Sequence, residues 1–288
     1  MKNLTFLLLI ILLAGTAFKT GKPAYTLFDE DNKKAKYNQL IKKSQSADII
    51  LFGELHNNPV SHWLQLVLTK DLYAAKGKDL VLGAEMFESD NQIILDEYLQ
   101  GMISQSRFEA DARLWTNYKT DYKPVVEFAK ENKLKVIATN IPRRYASIVN
   151  SKGFEGLYEL SEEALQFLPP LPVLYNPELN AYKNMMTMGG MEHHTNENFP
   201  KAQAIKDATM AHFILKNWVK GKTFIHFHGA YHSDHFESIY WYLKQQDPRL
   251  EIVTITTVSQ DDISKVDEEN KGKANFIICV DKDMTTTH

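Results

Sequence analysis

The chain of 288 residues has one cysteine, Cys279, set inside the apolar run "ANFIICV". A single thiol cannot build a disulfide framework, so the fold depends on its core, and Cys279 reads as a buried thiol. Charge of one sign is also lacking: 33 basic residues stand against 36 acidic ones, for a formal net charge of −3 and a pI near 6.4. A nucleic-acid partner would need a basic face, so nucleic acid is excluded and small molecules or proteins remain. No apolar run is long enough to span a bilayer comfortably; the strongest, Leu4 to Leu13, is too short. Low-complexity tracts and short-period repeats are missing as well.

What is present fits one sizeable domain, or a main domain with a smaller insertion, because 44% hydrophobic content can fill such a core. Residues 1–20 have the order of a secretory signal: the basic start Met1-Lys2-Asn3, the short apolar run, and the small-x-small site Gly15-Thr16-Ala17. An exported product of the periplasm or cell envelope is expected. "LLAG" opens like a bacterial lipobox, but Thr16 occupies the position of the lipid-accepting cysteine, which excludes anchoring by that route. Residues 21–46 read as a polar lead-in with one short helix, and residues 47–288 as the folded domain.

Within that domain "ADIILFGE", "KDLVLGAEMF", "LKVIATN", "TFIHFHGA", "LEIVTITTV" and "NFIICVD" are continuous apolar runs suited to strands buried on both faces. Amphipathic stretches such as Val60 to Ala75 and Val125 to Asn132 alternate with the first of them, which predicts an α/β fold with a mainly parallel sheet flanked by helices. Residues 143–220 carry helical spacing throughout, broken by "PPLP" and "GG", and predict a smaller helical subdomain inserted between the third and fourth of these strands.

In open α/β sheets ligands bind at the carboxyl ends of the strands. Here those ends carry Gly53-Glu54-Leu55-His56, Glu85, Asn140 before Pro142-Arg143, and Gly229-Ala230-Tyr231-His232. "GELH" and "GAYH" are both G-x-x-H directly after a buried strand; each glycine allows a sharp exit and each histidine is delivered to the same rim. Glu54, His56, Glu85 and His232 are therefore the candidate catalytic residues. Glu85 ends a strongly apolar strand, where a carboxylate needs a partner. His226 and His228, two apart on one strand, face the same side and read as core or supporting residues, while His235 begins an expected helix capped by Ser233 or Asp234. Arg143 and Arg144 fall in an expected first helical turn, where the dipole disfavours cations, so one of them facing a carboxylate or an anionic ligand competes with an ordinary solvated arginine. A second cluster, Met185, Met186, Met188 and Met191 ahead of His193 and His194, reads either as adaptable core or as the lining of an apolar cofactor pocket.

"ILFGELHNNPVSHW", "LGAEMF", "RLWTNYKTDYKPVVEFA", "ATNIPRRYA", "KAQAIKDATMAHFI" and "FHGAYHSDHF", in that order from about Ala47 to Leu243, resemble the ChaN-like haem-binding lipoproteins of bacterial iron uptake. The resemblance implies a parallel α/β domain with a smaller helical domain, a cell-envelope location, and haem held by tyrosine ligation with a paired haem at a homodimer contact. It also implies a wider superfamily with the Tiki and TraB proteins and the erythromycin esterases, whose G-x-x-H motifs and acidic residues serve hydrolysis, with a metal in some. That pattern maps onto Gly53, Glu54, His56, Glu85, Gly229 and His232. The missing lipidation cysteine is a departure from the family.

Two functions follow. The first is haem binding, with His193, His194 or Tyr182 as axial ligand, Arg143 for a propionate, and an outer-membrane haem receptor as a further partner. The second is hydrolysis, with Glu54 or Glu85 acting on water and His56 and His232 binding a divalent metal or stabilising an oxyanion.

Overall fold

The computed structural model describes residues 21–186 and 196–288. Seven strands form one sheet: β1 (Tyr25–Asp29), β2 (Ile49–Glu54), β3 (Leu80–Glu88), β4 (Lys135–Asn140), β5 (Thr223–Gly229), β6 (Ile252–Gln260) and β7 (Phe276–Asp281), in the spatial order β1-β7-β6-β2-β5-β3-β4. All pairings are parallel except that of β1 with β7. The protein is thus an α/β fold with a mainly parallel sheet. The segment 21–46 is more than a lead-in, because Tyr25–Asp29 adds the antiparallel edge strand and buries Leu27 and Phe28 before the short helix Tyr37–Gln45.

Both faces of the sheet are covered, which explains the unbroken apolar runs. Ile50, Phe52 and Leu82 pack on one face with Leu64 and Leu68 of helix Pro59–Lys76 and Val126 of helix Lys123–Glu131. Ile49, Leu51 and Phe224 pack on the other with Ala208, Ala211 and Ile214 of helix Asn198–Asn217 and with Ile239 and Leu243 of helix Ile239–Gln246. Helix Ile239–Gln246 starts later than the pattern suggested, since His235, Phe236 and Ser238 take positive φ and break the chain first.

Between β4 and β5 the described elements are all helical, and Ile141, Tyr145, Val149, Leu157, Leu168 and Ile205 form a core of their own. Helix Asn198–Asn217 belongs to that core through Ile205 and to the sheet through Ala208 and Ile214, so the helical part is bolted to the main layer. Among the described residues no helix is long and apolar enough to cross a membrane. The stretch 1–20 read as a signal lies outside the described residues.

Both edges of the sheet are closed locally. On β4 the Gln92 side chain does the work of a neighbouring strand, donating to Val136 O at 3.0 Å and accepting from Ala138 N at 2.7 Å. On β1 the chain folds back, with Ala35 N bonded to Leu27 O at 2.8 Å and a bridge between Phe28 and Lys34.

Candidate functional site

The adjacent strands β2, β5 and β3 deliver the candidate residues to one place. Glu54 is the last residue of β2 and pairs in register with Gly229, the last residue of β5. On the other side of β5, the pairing of β3 with β4 shifts register between Ala84 and Glu88, a local irregularity that re-aims the segment carrying Glu85. The turn Ala230–His232 then brings His232 back over the strand ends.

Glu54 is buried and fully engaged. Its Oε1 accepts from His56 Nδ1 at 3.0 Å and from the Tyr122 hydroxyl, and its Oε2 accepts from Gln65 Nε2 at 2.5 Å. Burial works against its charge, but the His56 hydrogen bond and the nearby His62 hold its carboxyl below the ordinary range. His56 is the open member of the pair, with 45% of its side chain exposed, and its Nε2 has no hydrogen-bond partner among the described residues. Its pKa is raised: burial opposes the proton, and the Glu54 hydrogen bond and the Glu85 charge outweigh it. The loop beneath is pinned, since His56 O accepts from Asn117 Nδ2 at 2.7 Å and bonds His62 Nε2 at 3.0 Å. Asn58 then caps helix Pro59–Lys76 by accepting from Val60 N and Ser61 N, both at 3.0 Å. From the far end of the chain, Thr287 N donates to Asn57 O at 2.9 Å.

The second half is a buried chain of charges. Glu85 Oε2 accepts from Gly229 N at 2.8 Å, Glu85 Oε1 lies 3.2 Å from His232 Nε2, and His232 Nδ1 lies 2.5 Å from Asp207 Oδ1. Asp207 Oδ2 accepts in turn from the Tyr182 hydroxyl at 2.9 Å. Burial would strip the proton from His232, but the two carboxylates reverse this and push its pKa up to about 10. The imidazolium in turn holds Glu85 far below the usual carboxylate value against burial, while burial leaves Asp207 raised. Gly229 joins the halves: a Cβ there would sit 2.7 Å from His56 Nε2 and 3.7 Å from Glu85 Oε2.

Glu54, His56, Glu85 and His232 therefore share one centre, and the sequence reading missed Asp207, Tyr122 and Gln65. Asp207 carried a signal, because it is the one acid on the buried stripe Ala204, Ile205, Ala208 and Ala211 of its helix. Tyr182, the expected axial tyrosine, is 1% exposed and its hydroxyl donates to Asp207. His226 and His228 are supporting residues. Their Nδ1 atoms lie 3.0 Å apart, and the outer nitrogens meet Thr139 Oγ1 at 2.7 Å and Ser233 Oγ at 2.8 Å. Burial lowers both, His228 to about 3. Arg143 is exposed and stands apart, on a groove beside the centre. His193 and His194 lie outside the described residues. The expected divalent metal finds no support, because among the described residues no group of three or more His, Cys, Asp or Glu side chains is arranged to hold one; the carboxylates are taken up by imidazoles, amides and hydroxyls.

Fold and centre together define an α/β protein with a strand-end carboxylate–imidazole site and a helical part contributing to it. The chain belongs to the family described as "Haem-binding uptake, Tiki superfamily, ChaN", whose profile matches residues 40–243. Among solved structures it is similar to ChaN of Campylobacter jejuni, described as binding haem cofacially, at 16% identity and a TM-score of 0.64 over 88% of this chain and 96% of that one. It is also similar to a succinoglycan biosynthesis protein at 11% identity and TM-score 0.49, covering 84% of this chain and 90% of that one. An erythromycin esterase mutant in its open conformation aligns at 12% identity and TM-score 0.44, over 81% and 77% of the two chains. The likeness to ChaN is one of fold. No curated protein matches the chain.

Proposed function

We propose that this chain is a haem-binding protein of the bacterial cell envelope, serving haem or iron uptake or storage. What carries the proposal is the family match across residues 40–243. Haem requires an axial ligand, an apolar surface and a cation for its propionates. Arg143 fits the cation, because it is exposed beside Leu114 and Trp115 and has no ion partner among the described residues. Tyr182 does not fit the axial role. Tyr158, 61% exposed in the helical part, has a ring that reaches solvent and is the better tyrosine; His193 and His194 remain the alternative pair. An outer-membrane receptor and a second copy of the chain are the partners this function calls for. Titration with haemin should give a saturable Soret change that is lost in Tyr158→Phe or in the His193→Ala/His194→Ala pair. Slow, non-saturating uptake would refute haem binding. Export predicts a mature N-terminus near Ala17 by mass spectrometry, and an intact Met1 in the envelope fraction would contradict it.

A second function, hydrolysis, is favoured by one observation: His56 is oriented through Nδ1 by a buried carboxylate, nearly half of its side chain is exposed, and its Nε2, over Gly229, has no hydrogen-bond partner among the described residues. That is the arrangement of a general base. Nε2 takes a proton from water as the water oxygen adds to an acyl carbon, Glu54 stabilises the imidazolium, and the proton passes to the leaving oxygen. Ester and water give acid and alcohol. Because only the neutral ring accepts the proton and the pKa of His56 is raised, the rate should climb with pH above 6.5, and His56→Ala should abolish it. A flat profile, or activity surviving in His56→Ala, would count against this function.

A further inference from the structure

Beside His56 lies a groove of about 550 Å³ lined by Glu88, Arg113, Leu114, Trp115, Arg143 and Arg144. Trp115 is the shared wall, because its ring stands edge-on to the His56 imidazole with centroids 4.9 Å apart. Two of the arginines are pinned from within. Arg113 bonds Glu88 at 3.1 Å and also Asp90, while Arg144 bonds Asp90 at 2.6 Å and lies over the Tyr145 ring. Arg107 and Arg249 elsewhere likewise have carboxylate partners at 3.4 Å and 2.9 Å. Arg143 is the exception, with no ion partner among the described residues. It opens helix Arg143–Lys152, where the helix field opposes a cation, and the carboxylates at this groove, Glu88 and Asp90, are already taken by the two other guanidinium groups. A charge held there against its surroundings is set for an anion that arrives from outside.

Resting on the hydrolytic function above, we propose that this groove is the acid-recognising part of the hydrolytic centre. Its substrate is an ester bearing a carboxylate or another single anionic group, which Arg143 holds. The apolar or aromatic body of the substrate lies along Leu114 and Trp115, and the scissile bond faces His56 Nε2. A charge-assisted hydrogen bond from a guanidinium supplies about ten- to hundredfold in binding, so the selectivity falls on KM.

The test compares 4-carboxyphenyl acetate with its methyl ester in the full chain. The wild type should favour the carboxylate by about tenfold or more in kcat/KM, Arg143→Gln should bring the ratio close to one through KM, and Arg143→Lys should retain part of it. An unchanged ratio in Arg143→Gln overturns the proposal. If the wild type cleaves neither ester faster than His56→Ala, the hydrolytic function fails, and calorimetry with 4-hydroxybenzoate then judges the groove alone. Binding lost in Arg143→Gln supports an anion site; no binding, or equal binding, overturns it. If haemin affinity falls in Arg143→Gln while 4-hydroxybenzoate does not bind the wild type, Arg143 serves a propionate and the proposal is overturned.

Discussion

Replacing Glu85 by glutamine alters one atom of the buried network and should force a proton out of it. Both groups that meet this carboxylate are donors: the Gly229 N–H at 2.8 Å and, in the imidazolium, His232 Nε2 at 3.2 Å. A glutamine has one acceptor for the two. If its oxygen keeps Gly229, its NH₂ faces Nε2, which can accept only from a neutral ring whose Nδ1–H stays on Asp207. In the wild type His232 holds its proton up to about 10 against an ordinary 6.5. The folded state therefore keeps a proton that the unfolded chain releases. This stabilisation is complete below pH 6.5 and is lost as pH rises toward 10, at no more than about 1.4 kcal/mol per pH unit. Asp207 shares the proton's field, so a loss of about 1–3 kcal/mol between pH 7 and 9 is expected. The variant, already neutral, should begin about 1–3 kcal/mol lower at pH 7 and lose nothing further from this group. Urea unfolding at pH 7, 8 and 9 reads both curves, and the deficit should shrink as pH rises. Parallel curves with one slope would refute an imidazolium held between Glu85 and Asp207.

Three further outcomes follow from the same geometry. Gly229→Ala puts a methyl group 2.7 Å from His56 Nε2, and because that side chain can swing outward the unfolding free energy should fall by only about 1 kcal/mol or less, while ester turnover falls sharply; turnover at the wild-type rate would contradict the placement of the base. Tyr182→Phe leaves Asp207 Oδ2 without its donor and should cost about 1–3 kcal/mol in urea unfolding without changing haemin titration, whereas a lost Soret band would restore Tyr182 as a ligand. His226 and His228 are folded as neutral rings, so between pH 6.5 and 5, above the range of ordinary carboxylates, the unfolded chain binds protons that the fold refuses and stability should fall; the fall should be smaller in His228→Gln, and an identical decline would show that the pair does not titrate this way.

The parallel strands were legible because burial on both faces demands unbroken apolar runs, and β2 through β7 carry them. Tyr25–Asp29 was hidden, because a five-residue edge strand set among lysines and acids has no such run. Glu54, His56, Glu85 and His232 could be found because parallel strands send their carboxyl ends to one rim, a rule that needs no knowledge of side-chain packing. Asp207, Tyr122 and Gln65 reach the centre from helices and turns. Which way those residues face depends on how the helices lie on the sheet, and spacing alone does not fix that. The surroundings of Tyr182 were hidden for the same reason: its position beside the methionine segment is visible in sequence, but its burial against Asp207 is not.

The closed sheet edges bear on how two copies of this chain can meet. An open edge offers a row of backbone donors and acceptors to any similar chain, and strand-to-strand growth follows. Here Gln92 occupies the outer side of β4 and the return of the chain at Lys34 and Ala35 occupies that of β1. A continuous sheet running through two copies is therefore disfavoured. Self-association has to be written in side chains, which single substitutions can tune or abolish without disturbing the fold, and the same plugs protect the protein from templated aggregation.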